Sequence, residues 1–291
     1  MIINQIRYGL AATILLFQIS CTEKNTAINL SPSLTSTDTT YLASTETAQQ
    51  KNVLVEEFTG VSCPPCPSGH AIVKSLKQQY PDRIVVIANH VFNFPQAEPV
   101  KGLSKQDFRT EDATAVGRLF GSVSYMPAAV IDRLAKGSDY LLTTTEWSAA
   151  VTSQIAKKAD INLYLSTTFD EARKVASVKV KLVYTKPMAD KHALTLAVAE
   201  SNIIDAQKTQ QAIDTFYTHN YVLRDIATPV SGTPIMENLT TKEAGRVIER
   251  TFEIPINEKW QPDNCKIVAF IHSNDGAKKD VFQSAEVNLK K

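Results

Sequence analysis

The feature that most constrains the fold of this 291-residue chain is a pair of cysteines, Cys63 and Cys66, separated by two prolines. Residues 52–58, before the pair, contain two valines, a leucine and a phenylalanine and predict a short β-strand. Residues 68–80, after it, carry apolar side chains at helical spacing and are followed by a proline. The apolar run 83–90 then predicts a buried parallel strand. The order is therefore strand, Cys-x-x-Cys, helix, strand.

A Cys-x-x-Cys motif in this order is typical of thioredoxin-like redox proteins. Downstream, Met126 and Pro127 come directly before a predicted strand over 128–132, and thioredoxin folds carry a cis-proline at this point, beside the cysteines. A capped helix is predicted over 143–158. We therefore predict an α/β thioredoxin-like domain over residues 51–158. The segment 91–121 is longer than the corresponding part of a minimal thioredoxin. It predicts a helical insertion, with a helix over 104–120, that borders or partly covers the cysteines.

Beyond residue 158 nearly every segment is strand-like. In the run 175–184, Val178, Val180 and Leu182 alternate with Lys179 and Lys181, which predicts a strand with one buried and one wet face. At least five further runs have similar strand character. They predict an all-β domain over residues 159–291, built as an immunoglobulin-like sandwich.

The first 20 residues carry one basic residue, Arg7, and then the apolar run 10–19. This run is shorter than the roughly 20 residues of a membrane-spanning helix and predicts a secretory signal peptide over residues 1–20. Cys21, after Ser20, resembles the lipobox cysteine of bacterial lipoproteins, which implies a lipid anchor at Cys21; an ordinary signal peptide is the alternative. Ser and Thr make up 12 of the next 29 residues, so residues 21–50 predict a flexible tether.

The balance of charges restricts the class of partner. The chain has 31 basic and 30 acidic residues, a formal net charge of +1. Nucleic acids and charged bilayer surfaces are bound by basic patches, so this neutrality argues against nucleic acid as a partner. We expect membrane contact through the lipid at Cys21, and protein partners in the cell envelope or at its surface that carry disulfides or thiols. No cofactor is predicted.

Four stretches, 56–70, 126–133, 219–225 and 268–287, occur in an order that resembles the outer membrane protein 28-related family of Bacteroidota lipoproteins. The resemblance covers residues 50–290. It implies a lipid-anchored protein of the outer membrane, facing the periplasm or the cell surface, with a thioredoxin-like domain. It does not imply a particular reaction.

The candidate catalytic residues follow from the thioredoxin resemblance. Cys63 would be the attacking, more exposed thiol and Cys66 the buried resolving thiol. Glu57 lies six residues before Cys63, where thioredoxins carry a buried acid; burial would raise its pKa and let it take the proton of Cys66. Alternatively, Glu57 faces solvent and Glu56 points inward. Pro127 would shape the docking site of the substrate strand.

The two prolines influence how strongly Cys63 is activated. If Cys63 is the helix N-cap, Pro64 and Pro65 occupy the first turn and remove two amide donors, which leaves the N–H of Cys66 to stabilise a thiolate at Cys63. We therefore expect an activated but subdued Cys63. Met126 is a further residue placed to tune the thiols.

His70 lies four residues after Cys66, on the same helix face. It would tune the thiols, or it is a packed helix residue with a hydrogen-bonded ring. A third alternative is a copper(I) site formed by the two cysteines and His70, with His90 as a further ligand. No other metal site is predicted.

Two functions remain open. In the first, the protein carries out thiol–disulfide exchange through Cys63; in the second, it is a surface binding or assembly lipoprotein with an inert disulfide. A disulfide that closes a loop of only four residues stabilises the protein by only about 2 kcal/mol, so stability alone is a weak reason for the pair and redox chemistry is favoured.

Cys265 is expected to be a buried free thiol. A final set is expected to form either a polar site or a contact between domains: His219, Asn220, Arg224 and Asp225. His192 and His272 receive no role.

Overall fold

The structure is a computed structural model that describes residues 37–290. Strands predominate over helices. In chain order the elements are β1 (Thr37–Leu42), β2 (Val53–Phe58), α1 (Cys66–Gln79), β3 (Ile84–Asn89), a 3₁₀ turn (Pro95–Ala97), α2 (Glu111–Leu119), β4 (Ala128–Ile131), α3 (Thr144–Ile155), β5 (Ile161–Asp170), β6 (Val175–Tyr184), β7 (His192–Glu200), β8 (Ile203–Lys208), β9 (Ile213–His219), β10 (Val222–Ile226), β11 (Thr233–Ile235), β12 (Arg246–Pro255), a second 3₁₀ turn (Pro262–Asn264), β13 (Cys265–Ser273) and β14 (Val281–Asn288).

The largest sheet has the strand order β14-β13-β7-β10-β3-β2-β4, with β11 also paired to β7. Strands β2 and β3 are parallel and α1 connects them, so the predicted order of strand, Cys-x-x-Cys, helix and strand is confirmed. β4 runs antiparallel to β2. Helices α1 and α3 share a core with these strands, in which Val73 and Leu76 meet Trp147 and Val151. The Trp147 indole N–H donates to the carbonyl of Leu142 (2.9 Å).

This sheet continues across residue 158, where the sequence predicted a domain boundary. β10 pairs in parallel with β3, Val222 opposite Ala88, and antiparallel with β7. The backbone N–H of Asn52, just before β2, donates to the side chain of Gln283 in β14 (2.7 Å), a second contact between the predicted halves. The predicted halves therefore share one sheet. The free edge of β3 offers backbone groups that need partners, and a strand more than a hundred residues later supplies them; local composition carries no sign of that pairing.

A second sheet, in the order β1-β12-β6-β5, packs against part of the first. Val178, Val180 and Leu182 of β6 are buried in one core with Leu194 and Leu196 of β7. The buried face predicted for β6 is thus confirmed, and its two lysines lie on the opposite, wetter face. The second sheet does not form a sandwich from residues 159–291 alone, because its partner sheet includes β2, β3 and β4.

Part of the segment expected to be a flexible tether is ordered: Thr37–Leu42 form β1 of this second sheet, and residues 43–50 follow it as an irregular connection. β1 pairs antiparallel with β12 along its whole length, and the Gln49 N–H donates to the side chain of Asn162 (2.8 Å). An edge strand is held mainly by backbone hydrogen bonds and suits β-branched threonines, so its low apolar content did not exclude it. The signal peptide over 1–20, Cys21 and the tether before residue 37 lie outside the described residues.

The insertion over 91–121 is less helical than expected. Its α-helix covers Glu111–Leu119 rather than 104–120. Thr110 caps that helix by accepting from the N–H of Ala113 (3.0 Å). The backbone N–H groups of Lys105 and Gln106 instead donate to the carboxylate of Asp205 in β8. These bonds to a distant strand replace the helical bonds that the local pattern predicted.

Candidate functional site

Cys63 and Cys66 form a disulfide at the start of α1, with their Cα atoms 5.4 Å apart. The helix begins at Cys66, and its N-cap is Pro65 rather than Cys63, the N-cap considered from the sequence. The N–H of Cys66 donates to the carbonyl of Cys63 (3.2 Å), and that of Ser68 donates to the carbonyl of Pro65 (3.0 Å). The amide that was expected to be free for a Cys63 thiolate is therefore already bonded, which weakens this route to a low thiol pKa.

Both cysteines are 0% exposed, whereas the sequence predicted an exposed Cys63. They lie in the apolar core that contains Phe58 and Met126, and the loop before them is bonded by the β8–β9 hairpin, a two-stranded sheet separate from the two larger sheets. The side-chain amide of Gln207 in β8 donates to the carbonyls of Gly60 and Cys63, both at 3.1 Å. The backbone N–H of Lys208 donates to the carbonyl of Val61 (2.8 Å). The hairpin is thereby attached to the backbone on the N-terminal side of the disulfide.

Strand β2 places Glu57 in the interior, where its side chain is 2% exposed. Its Oε1 atom has no hydrogen-bond partner among residues 37–290. Burial raises the pKa of Glu57 to about 8, the direction predicted from the sequence, so the carboxyl is mainly neutral near pH 7. Glu56 on the opposite face of β2 is also buried, and Arg133 binds its carboxylate at 2.7 and 2.9 Å. The alternative in which Glu57 faces solvent is therefore wrong.

Glu57 and Pro127 both pack against α1 at Gly69. A Cβ atom at this glycine would lie 2.8 Å from Glu57 Oε1, 2.9 Å from the Trp147 ring and 3.1 Å from Pro127 Cβ. The absence of a side chain lets all three groups pack against the first turns of the helix that begins at Cys66. The Met126–Pro127 bond is cis, as the resemblance implied. Met126 itself lies in the same apolar core as the cysteines.

His70 is held at both ring nitrogens. Nε2 lies 2.9 Å from the Thr59 hydroxyl, and Nδ1 lies 2.6 Å from the Tyr217 hydroxyl of β9. Nε2 is also 3.7 Å from Glu57 Oε1. Burial, with a smaller contribution from His219, lowers the pKa of His70 to about 4, so this contact joins two neutral groups near pH 7.

A cleft of about 570 Å³ lies beside this histidine, between α1 and the end of β9. Glu57 and His70 line it together with Lys74, Tyr217, Asn220 and Tyr221. The cleft therefore reaches the buried carboxyl from the side of the histidine. Tyr217 and Gln207 were not identified from the sequence. The alternation of β-branched and aromatic residues over 213–219 could have predicted β9, but not its position over the cysteines.

The sequence predicted that His219, Asn220, Arg224 and Asp225 form either a polar site or a contact between domains. Arg224 contacts several elements. Its Nε donates to Glu200 of β7 (2.7 Å), and its Nη2 donates to Gln106 of the insertion (2.7 Å). Phe108 lies under the Arg224 guanidinium at 5.4 Å and against the His219 ring at 4.8 Å. These contacts attach the insertion to β7, β9 and β10. Asn220 accepts from the N–H of Asn202 (3.2 Å).

The remaining candidates have structural surroundings. His90 is buried against Phe108, with ring centroids 5.4 Å apart. Residues 37–290 contain no group of three or more His, Cys, Asp or Glu side chains arranged to hold a metal ion, so the copper(I) alternative has no complete ligand set there. Cys265 is buried and forms no disulfide within this range, as predicted, and burial raises its pKa to about 12. His192 bonds Tyr184 (2.9 Å), and His272 bonds Thr195 (3.0 Å).

The fold and the site define a class: a predominantly β protein with a buried Cys-x-x-Cys disulfide between a strand and a helix. The family model of outer membrane protein Omp28 matches residues 114–291, which is more than half of the chain. The chain belongs to the Omp28 outer membrane protein family. The matched region starts within α2, so membership does not depend on Cys63 and Cys66. Within residues 37–290 no helix is sufficiently long and apolar to span a membrane.

Two solved structures have a similar fold. HBP35 of Porphyromonas gingivalis has a TM-score of 0.62 at 15% identity, covering 84% of this chain and 76% of that one. Protein AGR_C_4864 from Agrobacterium tumefaciens has a TM-score of 0.52 at 12% identity, covering 84% and 97% respectively. At such identities the likeness concerns the fold alone. A sequence comparison with curated proteins finds no significant match.

Proposed function

We propose that this protein is a thiol–disulfide exchange protein of the cell envelope, anchored to the outer membrane by a lipid at Cys21. In this proposal β2, α1, β3, β4 and α3 form a thioredoxin-like unit, and the strands after residue 158 form an immunoglobulin-like extension of it. The substrates are envelope or surface proteins that carry disulfides or thiols. Membership of an outer membrane protein family supports the location.

The observation that carries the proposal is the buried Glu57 carboxyl, whose Oε1 atom lies at Gly69 without a hydrogen-bond partner in the described chain. A buried polar group without a partner costs about 1–3 kcal/mol. A disulfide placed only for stability would not need such a group nearby. An exchange centre does, because a carboxyl whose pKa of about 8 lies near the working pH can accept and return a thiol proton.

The exchange follows from these positions. In the reduced protein, the Cys63 thiolate attacks one sulfur of the partner disulfide, and the other partner sulfur leaves as a thiolate. Cys66 gives its proton to the Glu57 carboxylate and attacks Cys63, which closes the Cys63–Cys66 disulfide and releases the second partner sulfur. Two electrons pass to the partner, which becomes a dithiol. The β8–β9 hairpin has to move from the disulfide for the partner to reach Cys63.

A specific observation favours a second function. Both cysteines are 0% exposed under Gln207, and a disulfide that stays covered would be inert. The protein would then be a binding or assembly lipoprotein of the envelope, and the pair would serve only to stabilise the start of α1.

A trapping experiment separates the two functions. Cys66→Ser, expressed in the native envelope with Cys265→Ser to remove the buried free thiol, should accumulate mixed disulfides through Cys63. The matched control adds Cys63→Ser and should trap none. Absence of trapped partners with Cys66→Ser, together with a folded wild-type protein whose disulfide resists glutathione, would support the inert disulfide.

A further inference from the structure

The β8–β9 hairpin bonds the backbone beside the disulfide, and Glu57 can be approached from a cleft at the end of the hairpin's second strand. Gln207 bonds the carbonyls of Gly60 and Cys63 on the hairpin side. The cleft of about 570 Å³, which Tyr217 and Thr218 of β9 also line, reaches both Glu57 and His70. The His70 side chain is 22% exposed and that of Glu57 is 2% exposed. The imidazole therefore stands between a buried acid and an open cleft.

Oxidation of the cysteine pair requires a proton to leave this interior. In the proposed exchange, Cys66 passes its proton to Glu57, and the partner thiolates take up protons outside the protein. With its side chain 2% exposed, Glu57 needs a neighbouring group to pass the proton outward. An imidazole can accept a proton at one nitrogen and release one from the other.

We propose that His70 is the proton relay between Glu57 and the cleft, an inference that rests on the exchange function proposed above. The Glu57 carboxyl gives its proton to Nε2, and the ring releases the proton on Nδ1 towards the Tyr217 hydroxyl and the cleft. Nε2 has to close the gap from 3.7 Å to about 3 Å, a normal hydrogen-bond length, by a small rotation. No oxidant beyond the partner disulfide is needed, because the relay moves protons only.

The surroundings of His70 suit a group that passes protons without storing them. Burial first, and His219 second, lower its pKa to about 4, so the ring stays neutral near pH 7. The hydroxyls of Thr59 and Tyr217 each contact one ring nitrogen and so hold the ring in place. The titratable groups that face or influence the ring are Glu57 of β2, Lys74 of α1, His90 after β3, and Tyr217 and His219 of β9.

The test follows oxidation of the reduced, purified protein by glutathione disulfide, with free thiols counted by alkylation and mass spectrometry between pH 6 and pH 9. His70→Ala should slow disulfide formation about tenfold or more, and added imidazole, which the cleft can admit, should restore the rate. His70→Gln, which keeps a hydrogen-bonding side chain but cannot relay a proton, should be equally slow. Gln78→Ala, exposed on the same helix, should match the wild type with or without imidazole.

Wild-type rates in both histidine variants across the pH range would overturn the relay, and so would a slow His70→Ala protein that imidazole does not restore. If His70→Ala does not fold, the pH profile of His70→Gln decides the question. Failure of the exchange function looks different, because the wild-type protein itself would then neither oxidise nor trap partners. A relay failure leaves wild-type oxidation and trapping intact.

Discussion

Gln207 lies 144 residues after Cys63 in the chain, yet its side-chain amide donates to the carbonyl oxygen of Cys63 at 3.1 Å. This contact joins the hairpin from the second half of the chain to the Cys-x-x-Cys motif in the first. Both cysteines are 0% exposed, and we expect loosening of this hairpin to make them more accessible.

Gln207→Ala should therefore uncover the disulfide. We expect reduction by dithiothreitol in native buffer to become about tenfold faster, with a loss of about 1 kcal/mol in the free energy of unfolding from the missing hydrogen bonds. Thiol alkylation against time measures the rate. Gln211→Ala, on the exposed turn of the same hairpin, is the control. An unchanged rate in Gln207→Ala would mean that this side chain does not hold the cover.

Glu57→Gln should change how stability depends on pH. The pKa of Glu57 is about 8 in the folded state against a reference value of 4.5, so between these values the folded protein binds the extra proton and its stability falls as pH rises. The Glu57→Gln variant has no titrating carboxyl at this position, so it should not show this loss of stability. Between pH 6 and pH 9 the wild type should lose about 2 kcal/mol more than Glu57→Gln, measured by chemical denaturation. Parallel curves would show that Glu57 is not a buried neutral acid.

The buried histidines should make the protein less stable as the pH falls, whereas Glu57 makes it less stable as the pH rises. All five histidines of the chain have a lowered pKa, with burial as the main cause, and that of His272 is about 3. Each binds a proton near pH 6.5 when unfolded but not when folded, so stability falls as pH drops below 6.5. His272→Gln should lose about 1 kcal/mol less than the wild type between pH 6.5 and pH 5. Equal losses in denaturation curves would contradict the lowered pKa.

Gly69→Ala should destabilise the protein although alanine is the better helix former. In an open helix this change stabilises by about 1 kcal/mol. Here the added methyl group would meet Glu57, Trp147 and Pro127 within 3.1 Å. We expect a net loss of about 1–3 kcal/mol in thermal or chemical unfolding. Ser75→Ala, exposed on the same helix, should have little effect; a gain in Gly69→Ala would show that the packing at this point is loose.

Local sequence patterns predicted the parts of this molecule that depend on neighbouring residues. The strand and helix around Cys63 and Cys66 and the alternation in β6 each follow from spacing along a few residues, whereas the interior position of Glu57 was implied by the resemblance to thioredoxins. The cover over the disulfide does not, because Gln207 and Tyr217 reach it through pairing of distant segments. For the same reason β10 beside β3 and β1 beside β12 were missed: backbone hydrogen bonds form these pairs, and they leave little trace in side-chain composition.

The central claim is that the Cys63–Cys66 disulfide takes part in exchange. Equilibration of the purified, folded protein in buffers of varied reduced-to-oxidised glutathione ratio, followed by acid quenching and mass spectrometry, tests it most directly. We expect the pair to convert reversibly between disulfide and dithiol as the ratio changes, with circular dichroism unchanged. A pair that stays oxidised at every ratio while the protein is folded, and is reduced only on unfolding, would contradict it.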